Sequence, residues 1–127
     1  MRLLLIEDDE SLCLSLSYQL RQDGFAPETC HDGEEGLLWA RQQGYDLILL
    51  DRMLPGMDGL KATRILREYA RFDNLPIIAM TAHAMNGDRE KSLSVGMQDY
   101  IAKPIEPSVL LSTLARWIHR DGRSPRR

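Results

Sequence analysis

Three short apolar runs in this chain each end in a carboxylate or a hydroxyl side chain. They are residues 3–6 before Glu7 and Asp8, residues 47–50 before Asp51, and residues 77–80 before Thr81. Short apolar runs separated by stretches with helical spacing are typical of strands buried on both faces, as in the parallel sheets of α/β domains. Ligands bind such sheets beyond the carboxyl ends of the strands. We therefore expect these four polar side chains to converge at one edge of a parallel sheet.

The expected group of oxygen atoms indicates a metal site. Several carboxylates without a converging His or Cys suit a hard cation such as Mg2+, and closely placed carboxylates repel one another unless a cation lies between them. The acidic run from Glu7 to Glu10 also precedes a predicted helix, where negative charge is favourable. We expect Asp9 and Glu10 to serve only this helix N-terminus.

The size and charge of the chain narrow the classes of function. At 127 residues and 43% hydrophobic, the chain is expected to form one domain with its own core. The formal net charge of -3 at pH 7 gives no general attraction to nucleic acid. Direct binding to nucleic acid is therefore not expected.

Two absences in the sequence bear on location. No apolar stretch approaches the roughly 20 residues that span a bilayer, and no signal peptide precedes the first predicted strand. The sequence therefore predicts a cytoplasmic protein without membrane insertion. Cys13 and Cys30 lack the spacing of a zinc site or of a disulfide scaffold, so we expect both to be buried and reduced.

Strands and helices are predicted to alternate five times along the chain. The strands are expected near residues 2–7, 25–30, 46–50, 77–81 and 99–102. The first helix is expected to begin after Asp9 and stop near Gly24, and the second to span residues 33–43. The third should carry Leu60, Ile65, Leu66 and Tyr69. The fourth should begin at Asn86 or Asp88 and stop near Gly96, and the fifth should span residues 107–119. This alternation predicts a doubly wound parallel sheet. Strands two and five are the least apolar and should lie at the edges, which favours the strand order 2-1-3-4-5.

Four separate motifs resemble those of the receiver domain of two-component response regulators. They are Glu7-Asp8, residues 51–59, Thr81-Ala82 and Lys103-Pro104, which follow the family's order and spacing. Residues 51–59 are similar to the family's phosphoacceptor loop. The resemblance covers residues 1–119 and implies a receiver domain with a flavodoxin-like (βα)5 fold. Residues 120–127 would then be a basic tail or a linker stub.

The resemblance implies a phosphoacceptor and a set of metal ligands. Asp51 would be the nucleophile that takes a phosphoryl group and forms an acyl phosphate. Asp8 would bind Mg2+ directly, together with Asp51, and Glu7 would act mainly through a metal-bound water. Met53 would contribute its main-chain carbonyl oxygen, and Mn2+ is an alternative ion.

Three further residues would stabilise the phosphoryl group. Phosphoryl transfer mainly needs in-line positioning and neutralisation of charge on the equatorial oxygens. In the family, the lysine of a Lys-Pro pair with a cis peptide bond supplies positive charge, which assigns this role to Lys103. The hydroxyl of Thr81 and the main-chain N–H of Ala82 would each bond a phosphate oxygen.

The resemblance also implies a switch and two modulating residues. Phosphorylation would draw the Thr81 hydroxyl toward the site and turn the ring of Tyr100 inward, which shifts the population between two packings. The signal would leave through the face formed by the fourth helix, the fifth strand and the fifth helix, and a homodimer through this face is an open alternative. Met53 and His83 would flank the acyl phosphate, and their bulk predicts slow autodephosphorylation.

The implied function is a signalling switch of a two-component system and not an enzyme. It would take a phosphoryl group from the phosphohistidine of a histidine kinase or a phosphotransfer protein, and it would assist its own phosphorylation and dephosphorylation. The chain ends soon after the last predicted helix, so no effector domain is expected within it. A stand-alone regulator, a relay intermediate and a fragment of a larger protein all stay open.

The two halves of the chain resemble different groups of receivers. Residues 1–9 and 51–59 are similar to receivers of transcriptional regulators. Residues 79–85 and 87–91 are more similar to receivers fused to hybrid sensor kinases. Both a natural and a composite chain stay open.

Three other classes of function are alternatives. A haloacid-type phosphatase also uses a strand-end Asp and Mg2+, but it needs a second Asp where this chain has Met53. A flavodoxin-like nucleotide or flavin binder needs a Gly-rich loop after the first strand, where this chain is acidic. A degenerate receiver that acts only as an interaction module would lack part of the acceptor set, which is complete here.

Overall fold

The computed structural model describes residues 1–82 and 86–120. Within these residues, five strands form one parallel sheet: β1 (Arg2–Ile6), β2 (Ala26–Cys30), β3 (Leu47–Asp51), β4 (Ile77–Thr81) and β5 (Asp99–Ala102). The order of the strands is β2-β1-β3-β4-β5. The predicted flavodoxin-like sheet, with the two least apolar strands at its edges, is confirmed. His83 and residues 121–127 lie outside the described residues.

Within the described residues, an α-helix follows each of the five strands. They are α1 (Glu10–Gln22), α2 (Gly33–Gln42), α3 (Gly59–Leu66), α4 (Asn86–Ser94) and α5 (Pro107–Arg120). None of the helices in the described part of the chain is long and apolar enough to cross a membrane.

The sheet is buried on both faces because its strands carry apolar residues at successive positions. Side chains alternate between the two faces of a strand. Leu4 and Ile6 of β1 therefore join a core cluster with residues of α2 and α3, whereas Leu3 and Leu5 join a second cluster with residues of α1 and α5. The central strand β3 is buried along its whole length, as expected from its sequence.

Three helices begin with an aspartate cap near the same edge of the sheet. The capping residues are Asp9 for α1, Asp32 for α2 and Asp58 for α3. Each side chain accepts a hydrogen bond from a main-chain N–H in the first turn of its helix, which satisfies a donor that has no partner within the helix. The expected role of Asp9 as a helix cap is confirmed.

The prediction that Tyr69 belongs to the third helix is wrong, because α3 ends at Leu66. The chain then turns into a short 3-10 helix, Ala70–Phe72. Tyr69 lies just before it and packs edge-to-face on Phe72, with ring centroids 6.2 Å apart. Tyr69 therefore packs within the turn after α3 and not along the helix, although its spacing from Ile65 and Leu66 is that of a helical residue. The strand bounds differ from prediction by one residue at four ends, since β1 stops at Ile6, β2 starts at Ala26, and β3 runs from Leu47 to Asp51.

The guanidinium of Arg67 fixes the turn that follows α3. It donates hydrogen bonds to the main-chain oxygens of Phe72 and Leu75. It also donates to the oxygen of Gly96, in the turn between α4 and β5, at 2.8 and 3.0 Å. One side chain thus ties the end of α3 to two other turns.

The two cysteines are buried and free, as predicted. Burial raises the pKa of Cys13 to about 11 and that of Cys30 to about 12. A thiol reacts as its thiolate. Both cysteines are therefore protonated and unreactive at neutral pH in the folded protein.

Replacing Leu49 by Ala should lower the free energy of unfolding by about 3 kcal/mol, because Leu49 is fully buried in β3 and the change leaves a cavity. The matched control is Leu14→Ala in α1, where the side chain is 75% exposed. This control should change the free energy by less than about 0.5 kcal/mol. Urea unfolding measures both, and equal losses in the two variants would contradict the assigned core.

Candidate functional site

The carboxyl ends of β1 and β3 bring three carboxylates together. Ile6 and Leu50 are paired in the parallel register, so the residues that follow them, Glu7 and Asp51, lie side by side. Glu7, Asp8 and Asp51 each offer an oxygen atom, and these atoms lie within 4.8 Å of one another. Hard oxygen donors of this kind fit a divalent cation such as Mg2+.

The three carboxylates differ in their access to solvent. Glu7 is 1% exposed and Asp51 is 4% exposed, whereas Asp8 is exposed. Carboxylates taken out of water need a compensating charge or hydrogen bonds. The site is therefore closed around Glu7 and Asp51 and opens to solvent at Asp8.

Lys103 supplies positive charge to the two buried carboxylates. Its Nζ lies 2.7 Å from Oε1 of Glu7 and 3.3 Å from Oδ2 of Asp51. Burial disfavours the charge on Lys103, but the hydrogen bond to Glu7 and the negative charges of Asp51 and Glu7 outweigh this effect and raise its pKa. Burial raises the pKa of Glu7, and the hydrogen bond from Lys103 opposes this rise.

The loop after β5 places Lys103 beside the end of β4. The main-chain N–H of Lys103 donates to the oxygen of Thr81 at 2.8 Å, and Thr81 is paired with Ala102 in the sheet. Thr81 is buried, whereas Ala82 is exposed. The peptide bond between Lys103 and the following proline is cis, as the resemblance implies.

The resemblance implies roles for three further residues, of which Met53 lies beside Asp51 and Tyr100 lies on β5. The main-chain N–H of Met53 donates to Oδ1 of Asp51 at 3.3 Å, and the Met53 side chain is 65% exposed. Tyr100 is partly buried against the core, and the guanidinium of Arg89 lies 5.9 Å from the centre of its ring. His83 falls outside the described residues. The roles expected for these three residues stay predictions.

Close packing of main chain against glycine shapes the loop after Asp51. A Cβ atom on Gly59 would lie 2.6 Å from the main-chain oxygen of Asp51. A Cβ atom on Gly33, at the start of α2, would lie 1.9 Å from the main-chain oxygen of Met57. Real Cβ atoms do not approach oxygen so closely, so both positions require glycine. In the sequence, Gly33 stands only at the start of a predicted helix and Gly59 at the end of the motif 51–59, and nothing along the chain shows which main-chain atom each one faces.

Two residues outside the predicted site, Cys13 and His31, contact Glu7. Its main-chain oxygen lies 3.2 Å from Sγ of Cys13 and 3.0 Å from Nδ1 of His31. Cys13 is on α1, and His31 follows β2 directly. The only available signal was the position of His31 at the carboxyl end of a strand.

Gly59→Ala should lower the free energy of unfolding by about 2 kcal/mol, because the added methyl group meets main-chain atoms of Asp51 and Arg52 that cannot move independently of the strand end. Gly44→Ala is the matched control, since a Cβ atom there meets nothing within 4 Å. Its expected change is within about 0.5 kcal/mol. Urea unfolding of the two variants decides the matter, and a tolerated Gly59→Ala would contradict the described packing.

Comparison with protein families gives one match over most of the chain. The model of the family described as "Response regulator receiver domain" matches residues 3–115. Among curated proteins, the signal transduction histidine-protein kinase BarA of Escherichia coli is 42% identical over 99 residues, which are 78% of this chain and 11% of the kinase. The transcriptional regulatory protein AfsQ1 of Streptomyces coelicolor is 40% identical over 121 residues, 95% of this chain and 52% of that protein.

A solved structure shares both the fold and the sequence pattern. The receiver domain of the sensor histidine kinase PA1611 from Pseudomonas aeruginosa superposes with a TM-score of 0.86 and 41% identity, over 92% of this chain and 96% of that chain. That domain has a magnesium ion coordinated in its active site cleft. The chain therefore spans about half or less of the curated relatives above but nearly all of an isolated receiver structure. The relatives include a kinase and a transcriptional regulator, the two groups that the halves of the sequence resemble.

Proposed function

The chain belongs to the family of response regulator receiver domains of two-component signalling, and from this membership we propose that Asp51 is its phosphoacceptor. The donor is the phosphohistidine of a histidine kinase or of a phosphotransfer protein, since receiver domains interact with such partners. The observation that carries the proposal is the position of Asp51. Its carboxylate lies within 4.8 Å of oxygens of Glu7 and Asp8 and 3.3 Å from Nζ of Lys103.

The proposed reaction transfers one phosphoryl group. A carboxylate oxygen of Asp51 attacks the phosphorus atom, the P–N bond to the donor imidazole breaks, and the imidazole keeps that electron pair and gains a proton. The product is an acyl phosphate on Asp51. Lys103 lies close enough to neutralise the added charge, and we assign to the Thr81 hydroxyl and the Ala82 N–H the bonds to phosphate oxygens that the family pattern implies. Water later takes the phosphoryl group from the acyl phosphate, which releases inorganic phosphate and restores the Asp51 carboxylate.

We propose Mg2+ as the cofactor, with Mn2+ as an alternative ion. Glu7, Asp8 and Asp51 form a donor set of hard oxygens, and the main-chain oxygen of Met53 is the proposed fourth protein ligand. When bound, the ion neutralises negative charge on the phosphoryl oxygens. The magnesium ion in the PA1611 receiver supports this assignment.

We propose that phosphorylation changes the face formed by α4, β5 and α5. Tyr100 lies on β5 and is only partly buried, so its ring has room to change its packing after Thr81 bonds a phosphate oxygen. A homodimer through this face is one output of the change, and the net charge of -3 gives no support for direct nucleic acid binding. Met53 and His83 are proposed to slow hydrolysis of the acyl phosphate by their bulk.

Incubation with acetyl phosphate and Mg2+ should add the mass of one phosphoryl group to the wild type and none to Asp51→Asn, because the amide is a poor nucleophile. The matched control is Asp58→Asn in the same loop. Asp58 caps α3, and asparagine caps helices equally well, so this variant should fold and be phosphorylated. Intact-mass spectrometry measures all three. Phosphorylation of Asp51→Asn would assign the acceptor to another residue, and an unmodified wild type would favour a receiver that acts only through protein contacts. Either result would contradict the proposal.

Asp8→Asn should weaken Mg2+ binding by about 10-fold or more, since it removes one charged ligand of a cluster in which charge dominates affinity. Asp9→Asn makes the same chemical change at the next residue. Asp9 caps α1 through its side chain and is not part of the three-carboxylate cluster. The affinity of the Asp9→Asn variant for Mg2+ should therefore stay within about two-fold of the wild type. Titration calorimetry gives both dissociation constants, and equal affinities would argue against Asp8 as a ligand.

A further inference from the structure

The main-chain oxygen of Glu7 has two side-chain donors from different elements. Cys13 of α1 donates through its S–H at 3.2 Å, and the ring of His31 contacts the oxygen through Nδ1 at 3.0 Å. A carbonyl oxygen has two lone pairs and can only accept. The contact is therefore a hydrogen bond when Nδ1 carries the proton, and Sγ of Cys13 also lies 3.8 Å from the same Nδ1.

This oxygen belongs to the peptide group that joins Glu7 to Asp8. A peptide group is planar, so a bond that fixes its oxygen also fixes the rotation of the plane between the two residues. With Glu7 held at the end of β1, fixing this oxygen restricts ψ of Glu7, and ψ of Glu7 together with φ of Asp8 determines the direction of the Asp8 side chain relative to Glu7. Neighbouring main-chain groups are also fixed, since the N–H of Glu7 donates to the oxygen of Cys30 at 3.0 Å and the N–H of Asp9 donates to Oε2 of Glu7 at 3.0 Å.

His31 is the stronger of the two donors to this oxygen. A ring N–H at 3.0 Å makes an ordinary hydrogen bond, whereas a thiol is a weak donor. The main chain of His31 is also held in place, because its N–H donates to Oε1 of Glu35, in the first turn of α2, at 3.4 Å. His31 is exposed, so its replacement leaves the core unchanged.

We propose that His31 is a positioning residue of the magnesium site. It touches neither the ion nor the phosphoryl group, and it acts by holding the peptide group between Glu7 and Asp8 in the orientation that directs both carboxylates into the site. This inference rests on the magnesium site proposed above. Residues that orient metal ligands commonly change metal affinity by 10-fold or more when they are replaced.

Three variants distinguish the effect of losing the hydrogen-bond donor from the effect of losing the His31 side chain. His31→Asn places an amide nitrogen near the position of Nδ1 and should keep the bond. His31→Gln carries the same amide one bond further out, and His31→Ala has no donor. We expect Mg2+ to bind His31→Asn within about two-fold of the wild type, and to bind the other two variants about 10-fold more weakly, by titration calorimetry.

A second measurement needs no metal. In the metal-free protein, the amide NMR resonance of Asp8 should move in His31→Gln and His31→Ala and stay near its wild-type position in His31→Asn, because that amide belongs to the peptide group in question. Wild-type affinity in all three variants, or an affinity of His31→Asn as weak as that of His31→Ala, would overturn the role of His31 alone. Failure of the wild type to bind Mg2+ would refute the magnesium site, and the role of His31 with it.

Discussion

Two carboxylates are buried side by side at the carboxyl ends of the strands, and they require a positive charge next to them. Glu7 and Asp51 end neighbouring strands, so parallel pairing forces them together, and both are almost fully removed from water. Lys103 contacts both of them, although it comes from the loop after β5, the outer strand that is separated from β3 by β4. The bond between its main-chain N–H and the oxygen of Thr81 keeps this lysine beside the carboxylates. The attraction between Lys103 and the two carboxylates thus links the positions of the loops that follow β1, β3 and β5.

Much of the architecture could be predicted from the sequence because it depends on properties that vary along the chain. Apolar runs buried on both faces showed where β1, β3 and β4 lie, and the polar interruptions in the other two strands showed which lie at the edges. The side chains of Glu7, Asp8 and Asp51 could be placed together because parallel strands bring their carboxyl ends to the same edge. Each of these predictions needs the topology alone and no interatomic distance.

Features that depend on close approach could not be predicted. Gly33 and Gly59 resemble ordinary helix and turn glycines until the main-chain oxygens they face are known. Tyr69 has the spacing of a helical residue, but bonds from Arg67 to nearby carbonyl oxygens stabilise a turn there. The contacts of Cys13 and His31 with Glu7 join a residue of α1 to the residues that follow β1 and β2, and no local pattern in the sequence indicates them.

The fan of hydrogen bonds made by Arg67 has a consequence for how the protein opens. Its single guanidinium serves carbonyl oxygens in the turn after α3 and in the turn after α4, segments that are far apart along the chain. If either turn moved away, the partly buried guanidinium of Arg67 would lose hydrogen bonds. The two turns should therefore open as one cooperative unit. The C-terminal end of α4 is thereby pinned to the body of the domain. Any reorientation of that helix would be a swing about this anchored end.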